Sequence, residues 1–199
     1  MITLVVHHFV RDFDSWKPVF DEHEDVRRSH GEVEHRIYQD IYNPNRVVIH
    51  NDFPSEEAAQ GFSADPSLPD AMERGGVEGE PGIGMVERTE QKQYADGAVA
   101  VTVVVHHRVR DFAVWKPVFD EHEDVRRAHG ALGHRVYQTA GDPNGVVIHN
   151  DFPSEAAGRA FLDDPSLPAA MERGGVEGTP GTGFIACSER KVYAVAPVA

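Results

Sequence analysis

The sequence predicts an α+β protein made of two copies of one strand–helix–strand–strand–helix–strand unit, and three observations support this. The chain of 199 residues repeats itself without a gap at a constant offset of 99, from Val5 to Tyr94 in the first copy. Within each copy, β-branched apolar runs alternate with stretches whose apolar residues recur at helical spacing. Clusters of Pro, Gly and Asn separate these runs. We place the copies at residues 1–95 and 100–199, joined by a short linker.

The first strand and helix are marked by local signals. The run Ile2–Val10 is apolar and β-branched, which favours a buried strand. Asp12 suits the N-cap of the helix that follows, and Pro18 is placed in its first turn, where a missing N–H does little harm. Gly31 suits the position after the helix, where a left-handed conformation is common. The helix carries one stripe at helical spacing, formed by Trp16, Phe20, His23, Arg27 and His30.

The rest of the copy follows from turn and capping signals. We predict strands at 34–39 and 46–53, a helix capped by Ser55, a short helix capped by Ser67, a Gly-rich loop at 77–82 and a strand at 85–91. This order is that of the ferredoxin-like unit. In that topology the sheet order is 4-1-3-2 and the helices cover one face. The other face also needs cover, so we expect the two copies to cover each other as a pseudo-dimeric α+β barrel within one chain.

Composition restricts the classes of partner. The net charge is −14 and the charged fraction is 26%, so the surface repels phosphate backbones and nucleic acid is not expected as a partner. No apolar stretch reaches the length of a membrane span. The one cysteine, Cys187, cannot form an internal disulfide, which fits a cytoplasmic location. We therefore expect a small-molecule partner, with pairing of whole chains left open.

All 12 histidines fall into matched pairs between the copies. Side chains alternate between the two faces of a strand, and the third strand lies between the first and second. One histidine from each strand is therefore expected to converge on one face: either His7 or His8, with His50 and His35, joined by Asp52. The counterparts in the second copy are His106 or His107, His149, His134 and Asp151.

Such a group has two chemical interpretations. Three histidines and a carboxylate suit a divalent transition metal, with His8, His35, His50, His107, His134 and His149 as ligands. Without metal, a histidine beside a carboxylate suits general acid–base work, because imidazole titrates near neutrality. A third interpretation is that the histidines only line a polar interior.

The sequence resembles the antibiotic biosynthesis monooxygenase superfamily, in particular its small actinobacterial cyclase-like proteins. The resemblance lies in residues 8–17 (His-x-Val-x-Asp-Phe-x-x-Trp-Lys), 20–23 (Phe-Asp-Glu-His) and 72–81 (Met-Glu-Arg-Gly-Gly-Val-x-Gly-x-Pro), and in their counterparts in the second copy. It implies a dimeric α+β barrel with a ligand cavity between sheet and helices. The superfamily includes cofactor-free oxygenases, haem-using enzymes, isomerases and proteins without a known activity.

The resemblance and the histidine pattern together predict an enzyme of secondary metabolism. It would resemble cofactor-independent monooxygenases or cyclases that act on aromatic or polyketide-like substrates. His50 and His149 would be the bases, Asp52 and Asp151 would orient them, and His8 and His107 would be hydrogen-bond partners. The alternatives are a histidine-rich metalloprotein and a non-catalytic module that binds a small ligand. Because the copies are fused, we also expect their two cavities to differ.

Overall fold

A computed structural model of the chain describes residues 1–193, so the last six residues of the second predicted domain lie outside the described part. The first repeat contains β1 Ile2–Val10, α1 Phe13–Glu22, α2 Glu24–Ser29, β2 Glu34–Asp40, β3 Arg46–Phe53, α3 Glu56–Ser63, α4 Leu68–Arg74 and β4 Val77–Gln93. The second contains β5 Val101–Val109, α5 Phe112–Glu121, α6 Glu123–Ala128, β6 Gly133–Thr139, β7 Asp142–Phe152, α7 Glu155–Leu162, α8 Leu167–Arg173 and β8 Val176–Val192. The predicted α+β class with two ferredoxin-like repeats is confirmed.

The strand pairings give each repeat the predicted sheet order. In the first repeat β1 lies between β3 and β4, and β3 lies between β1 and β2, with every pair antiparallel. The second repeat pairs β5 with β7 and β8, and β7 with β6, in the same way. This is the order 4-1-3-2 of a ferredoxin-like sheet.

The compact units of the structure differ from the two halves of the sequence. One unit is Met1–Glu87 together with the segment from Cys187, and the other is Arg88–Ala186. The long strands β4 and β8 therefore each begin in one unit and end in the other. The later part of β8 borders β2, and the later part of β4 borders β6. The domain boundaries at 95 and 100, and the mutual cover of the two copies, stay predictions.

The first helix is shorter than predicted because it is interrupted at His23. Pro18 lies inside α1 and not in its first turn. The buried guanidinium of Arg27 donates from Nη1 to the carbonyl oxygen of Phe20, and His23 N bonds the same oxygen at 3.3 Å. That carbonyl would otherwise accept from the backbone four residues later. A side chain inserted into the hydrogen-bond ladder is a known cause of a helix break.

The other boundaries are mostly as predicted, with two corrections. Asp12 and Ser55 cap their helices through their side chains, and Gly31 has φ of 90°. Ser67 stands at the start of α4 but makes no side-chain cap bond; its hydroxyl donates to Asp65 instead. The predicted loop at 77–82 belongs to strand β4, because Gly79 at φ of 72° accommodates a register shift in the pairing with β1.

Replacing Gly82 with alanine is expected to displace the ring of His7 and to lower the free energy of unfolding by about 1 kcal/mol. An added Cβ at Gly82 would lie 2.0 Å from the His7 ring, whereas one at Gly84 would meet nothing within 4 Å. Gly84→Ala is therefore the matched control. Urea denaturation gives the energies, and the imidazole signals of His7 show the displacement. An equal effect of both substitutions would contradict this packing.

The core of the first unit lies between the sheet and the helices. Its centre is formed by Leu4, Val6, Trp16, Ile49, Phe53 and Phe62, each 7% exposed or less. No helix within residues 1–193 has the length and apolar character needed to cross a membrane.

Candidate active site

A cavity lies between the sheet and the helices of each unit. The first cavity has a volume of about 70 Å³, roughly five times the ~10–15 Å³ that holds one water, which is room for a single aromatic ring. Most of its wall is apolar, formed by Leu4, Val6, Trp16, Phe20, Phe62 and Met72. Five polar side chains interrupt that wall: His8, His23, Arg27, Asn51 and Ser63. An apolar cavity with a few polar groups is the usual form of a small-molecule site.

His8 is the most chemically distinctive group in this wall. Its side chain projects from β1 on the face of Leu4 and Val6, and it is 6% exposed. Neither ring nitrogen has a hydrogen-bond partner among the described residues, and the ring meets Trp16 edge-on at 5.8 Å. Burial lowers the pKa of His8 to about 4, with a smaller contribution from the neighbouring charge of His7. At neutral pH His8 is therefore a neutral imidazole that can both donate and accept a hydrogen bond.

Asn51 and Arg27 bring two further unsatisfied atoms to the same wall. The Oδ1 atom of Asn51 and the Nη2 atom of Arg27 are buried and have no partner among the described residues. Arg27 Nε donates a hydrogen bond to Glu32 Oε2 at 3.1 Å. The Cζ atom of Arg27 lies 3.7 Å from the centre of the Phe20 ring. Buried polar atoms nearly always form hydrogen bonds. Several buried polar atoms without a partner around one cavity therefore indicate a place for a polar ligand.

The second cavity repeats the first with a similar volume of about 70 Å³. His107 takes the place of His8: both its ring nitrogens are buried without a partner among the described residues, and burial lowers its pKa to about 4. Asn150 Oδ1 and Arg126 Nη2 are again buried without a hydrogen-bond partner among the described residues. The site is therefore present in both repeats.

The predicted convergence of histidines from three strands is wrong, because the strands align different faces from those assumed. Position 51 lies opposite Leu4, and His35 lies opposite Asn51, so His8 and His35 face the helices. His50 lies opposite Val5 and Arg36, on the face that points away from the helices. A shift of one residue exchanges the two faces of a strand. The same holds for His149 against His107 and His134.

His50 and Asp52 share a strand face as predicted, but the carboxylate of Asp52 has other partners. Asp52 accepts two bonds of 2.7 Å from Arg36 Nη2 and one of 2.5 Å from the hydroxyl of Thr3. The ring of His50 meets Tyr38 edge-on at 5.3 Å. In the second unit Asp151 accepts from Arg135 and Thr102 in the same way. Neither His50 nor Asp52 lines the cavity.

His35 lies outside the cavity wall and binds two residues of the segment that follows Cys187. Its Nε2 donates to Glu189 at 2.7 Å, and its Nδ1 accepts from the hydroxyl of Tyr193 at 3.0 Å. Both partners come from the segment that follows Cys187. His134 is held in the corresponding way by Glu90 at 2.6 Å and by Tyr94. Because these imidazoles are already bonded at both nitrogens, they hold the long strands in place.

The positions of the strand histidines on the two faces of each sheet also test the hypothesis of a metal site. Within residues 1–193, no group of three or more His, Cys, Asp or Glu side chains is placed to hold a metal ion. The six strand histidines proposed as ligands are divided between opposite faces of the sheets and between the two units.

The prediction from sequence missed Asn51 and Arg27, although both carried a signal. Asn51 is the polar member of a strand face whose other members are Val47, Ile49 and Phe53. Arg27 is the charged member of the helix stripe with Trp16 and Phe20. A polar residue in an otherwise apolar stripe is buried with it and needs a partner.

Comparison by sequence alone finds no matching family profile and no match among curated proteins. Comparison by structure finds an anthrone oxidase-like protein with a TM-score of 0.68 and 13% identity, covering 100% of this chain and 96% of the other. A monooxygenase candidate from Lactobacillus acidophilus has a TM-score of 0.60 and 11% identity, with coverages of 96% and 95%. A ferredoxin-fold protein related to antibiotic biosynthesis monooxygenases, from Listeria monocytogenes, has a TM-score of 0.52 and 10% identity, with 95% of each chain covered.

At these identities the likeness concerns the fold, and nearly the whole length of each chain takes part in it. Together with the two βαββαβ repeats and their sheet order, it shows that the chain shares the ferredoxin-type α+β fold of these structures.

Proposed function

We propose that each cavity binds a small aromatic or polyketide-like molecule and that His8 and His107 take a proton from it, as in cofactor-independent oxygenases and cyclases. The observation that carries this proposal is the neutral, buried imidazole in an apolar cavity, whose two nitrogens have no hydrogen-bond partner within residues 1–193. In this proposal the base is assigned to His8 and His107, because His50 and His149 lie outside the cavities.

The chemistry requires an acidic C–H or O–H on the substrate. His8 accepts that proton, and the enolate or phenolate left behind is stabilised by the free Nη2 of Arg27. An anion formed beside the imidazolium favours the charged form of His8 and raises its pKa as the proton moves.

Two outcomes are open to the resulting anion. In oxygenation of an activated methylene, CH₂ + O₂ gives C=O + H₂O: the carbanion supplies electrons to dioxygen, a C–O bond forms, and the O–O bond breaks as water leaves. In cyclisation the carbanion attacks a carbonyl carbon of the same molecule, and His8 returns the proton to the new alkoxide. The anthrone oxidase-like neighbour makes the first outcome the one to test.

The double variant His8→Gln, His107→Gln is expected to lower turnover of anthrone by about 10²–10⁴-fold, because general-base catalysis contributes that much. Oxygen uptake and quinone absorbance, both above the uncatalysed rate, measure turnover, and the single variants assign each cavity its share. The matched control is His50→Ala, His149→Ala, which removes histidines outside the cavities. Full turnover in the glutamine variant, or its loss only in the alanine variant, would overturn the assignment.

A non-catalytic binding module is the second candidate, and the size of the cavity favours it. About 70 Å³ accepts one ring, so a polycyclic substrate would have to extend through the open side of the cavity. The same turnover assay, repeated with single-ring compounds and paired with a binding titration, decides between the two candidates: a wild-type chain that binds these compounds but turns none of them over is a binding module.

A further inference from the structure

The two cavities differ in the charge that faces their buried arginine. Glu32 is 4% exposed and forms an ion pair with Arg27 at 3.1 Å, so the pair has no net charge. The position of Glu32 in the second repeat is Ala131, which is also 4% exposed. The carboxylate that neutralises the first arginine is therefore missing from the second unit.

No other carboxylate replaces it among the described residues. Arg126 is 1% exposed, and its Nε donates to the hydroxyl of Tyr94 at 3.1 Å while Nη1 donates to the carbonyl of Phe119 at 2.7 Å. Glu123 interacts electrostatically with Arg126, but its ion pairs are with Lys92 and Arg127. Arg126 thus carries a buried positive charge whose hydrogen-bond partners among the described residues are neutral, and its Nη2 has no partner there.

A buried charge without a counter-charge is costly, and an anion that enters the cavity removes that cost. Arg126 lines the second cavity together with His107 and Asn150, so a ligand in the cavity can reach it. An aromatic ring would fill the apolar wall, and a carboxylate or phenolate oxygen would accept from the guanidinium in a charge-assisted hydrogen bond.

We propose that the second cavity selects ring compounds with one negative charge, aromatic carboxylates or phenolates, whereas the first cavity takes neutral ring compounds. The inference concerns the same cavities as the proposed function and rests on it only for their being ligand sites. It assigns the two fused copies different ligand classes through the single exchange of Glu32 for Ala131.

The chain provides a separate reporter for each cavity. It has two tryptophans; Trp16 lines the first cavity and Trp115 the second. With ¹⁵N-labelled tryptophan, the two indole N–H resonances follow both sites in the intact chain. The probes are benzoate and its neutral isostere benzamide, titrated at pH 7, where His8 and His107 are both neutral.

At Trp115 we expect benzoate to bind at least about tenfold more tightly than benzamide, and at Trp16 we expect no preference for benzoate. Ala131→Glu, which restores the carboxylate, should abolish the preference at Trp115, and Ala131→Gln is its uncharged control. Glu32→Gln should create a preference for benzoate at Trp16, and it decides the question by itself if Ala131→Glu fails to fold.

The same preference at both cavities, no benzoate binding at Trp115, or a preference that survives Ala131→Glu would each overturn the proposal. Its failure is separable from that of the proposed function. Charge selection is read from binding alone, whereas the proton-transfer role is read from the turnover of the histidine variants.

Discussion

Replacing Arg27 with methionine is expected to lower the free energy of unfolding by about 3–5 kcal/mol, because it leaves the buried carboxylate of Glu32 without its cation. Glu32 has a fully buried side chain, and Arg27 is its salt-bridge partner at 3.1 Å. Arg27→Met combined with Glu32→Leu should recover most of the loss, since replacing both members of a buried pair by apolar groups is often close to neutral. Urea denaturation monitored by circular dichroism measures each difference.

Arg126→Met is the matched control that the repeat provides. Arg126 donates to Phe119 O as Arg27 donates to Phe20 O, and both guanidinium groups lie over a phenylalanine ring. The two substitutions therefore lose similar hydrogen bonds and packing. Only Arg27→Met leaves a buried carboxylate, that of Glu32, without its cation. We expect the loss at Arg126 to be smaller by about 2 kcal/mol or more. Equal losses would show that the ion pair does not determine the effect.

Acidification from pH 6.5 to pH 4 is expected to cost the fold about 3 kcal/mol at each of His8 and His107. Both imidazoles have their pKa lowered to about 4 by burial. Across most of this pH range the unfolded chain holds a proton at each of these histidines that the folded chain does not. The stability that depends on the neutral ring is therefore complete above pH 6.5 and is lost as the pH falls to about 4.

The substitution His8→Phe should remove its share of this pH dependence, because an apolar ring has no proton to take up. The comparison is the slope of unfolding free energy against pH for the wild type, His8→Phe and His7→Phe. His7 lies on the other face of β1 and is exposed, and its removal takes away only the smaller charge effect on His8. A His8→Phe variant with the wild-type slope would show that His8 is protonated normally in the fold.

Several elements of this fold were predictable because their signals are local. A strand such as Ile2–Val10 has an unbroken apolar run, and a helix start such as Asp12 has a side chain that accepts from the backbone within one turn. The break at His23 was not predictable in this way. It depends on the buried Arg27, whose guanidinium takes the Phe20 carbonyl only once the helix is packed on the sheet.

The candidate site was predicted only in part. His8 and His107 were in the predicted set, but as partners of His50 and His149, whereas the structure surrounds them with Asn51 and Arg27 and with Asn150 and Arg126. Alternation along one strand shows which of its residues share a face. It does not show which face of the next strand lies beside them, and that choice decides the composition of a site.

The duplication, the order of the elements, the ferredoxin-like topology and the acidic composition with one cysteine follow from residue identity or short-range spacing, so they can be predicted without coordinates. The placement of His8 and His50 on opposite faces of the sheet required the tertiary structure. The tertiary structure also decided that β4 and β8 each divide between the two units, and that Glu32 neutralises the buried Arg27, whereas Arg126 has no carboxylate at ion-pair distance among the described residues. These features depend on contacts between residues far apart in the chain. Strand register and burial determine which charged side chains form ion pairs and which do not.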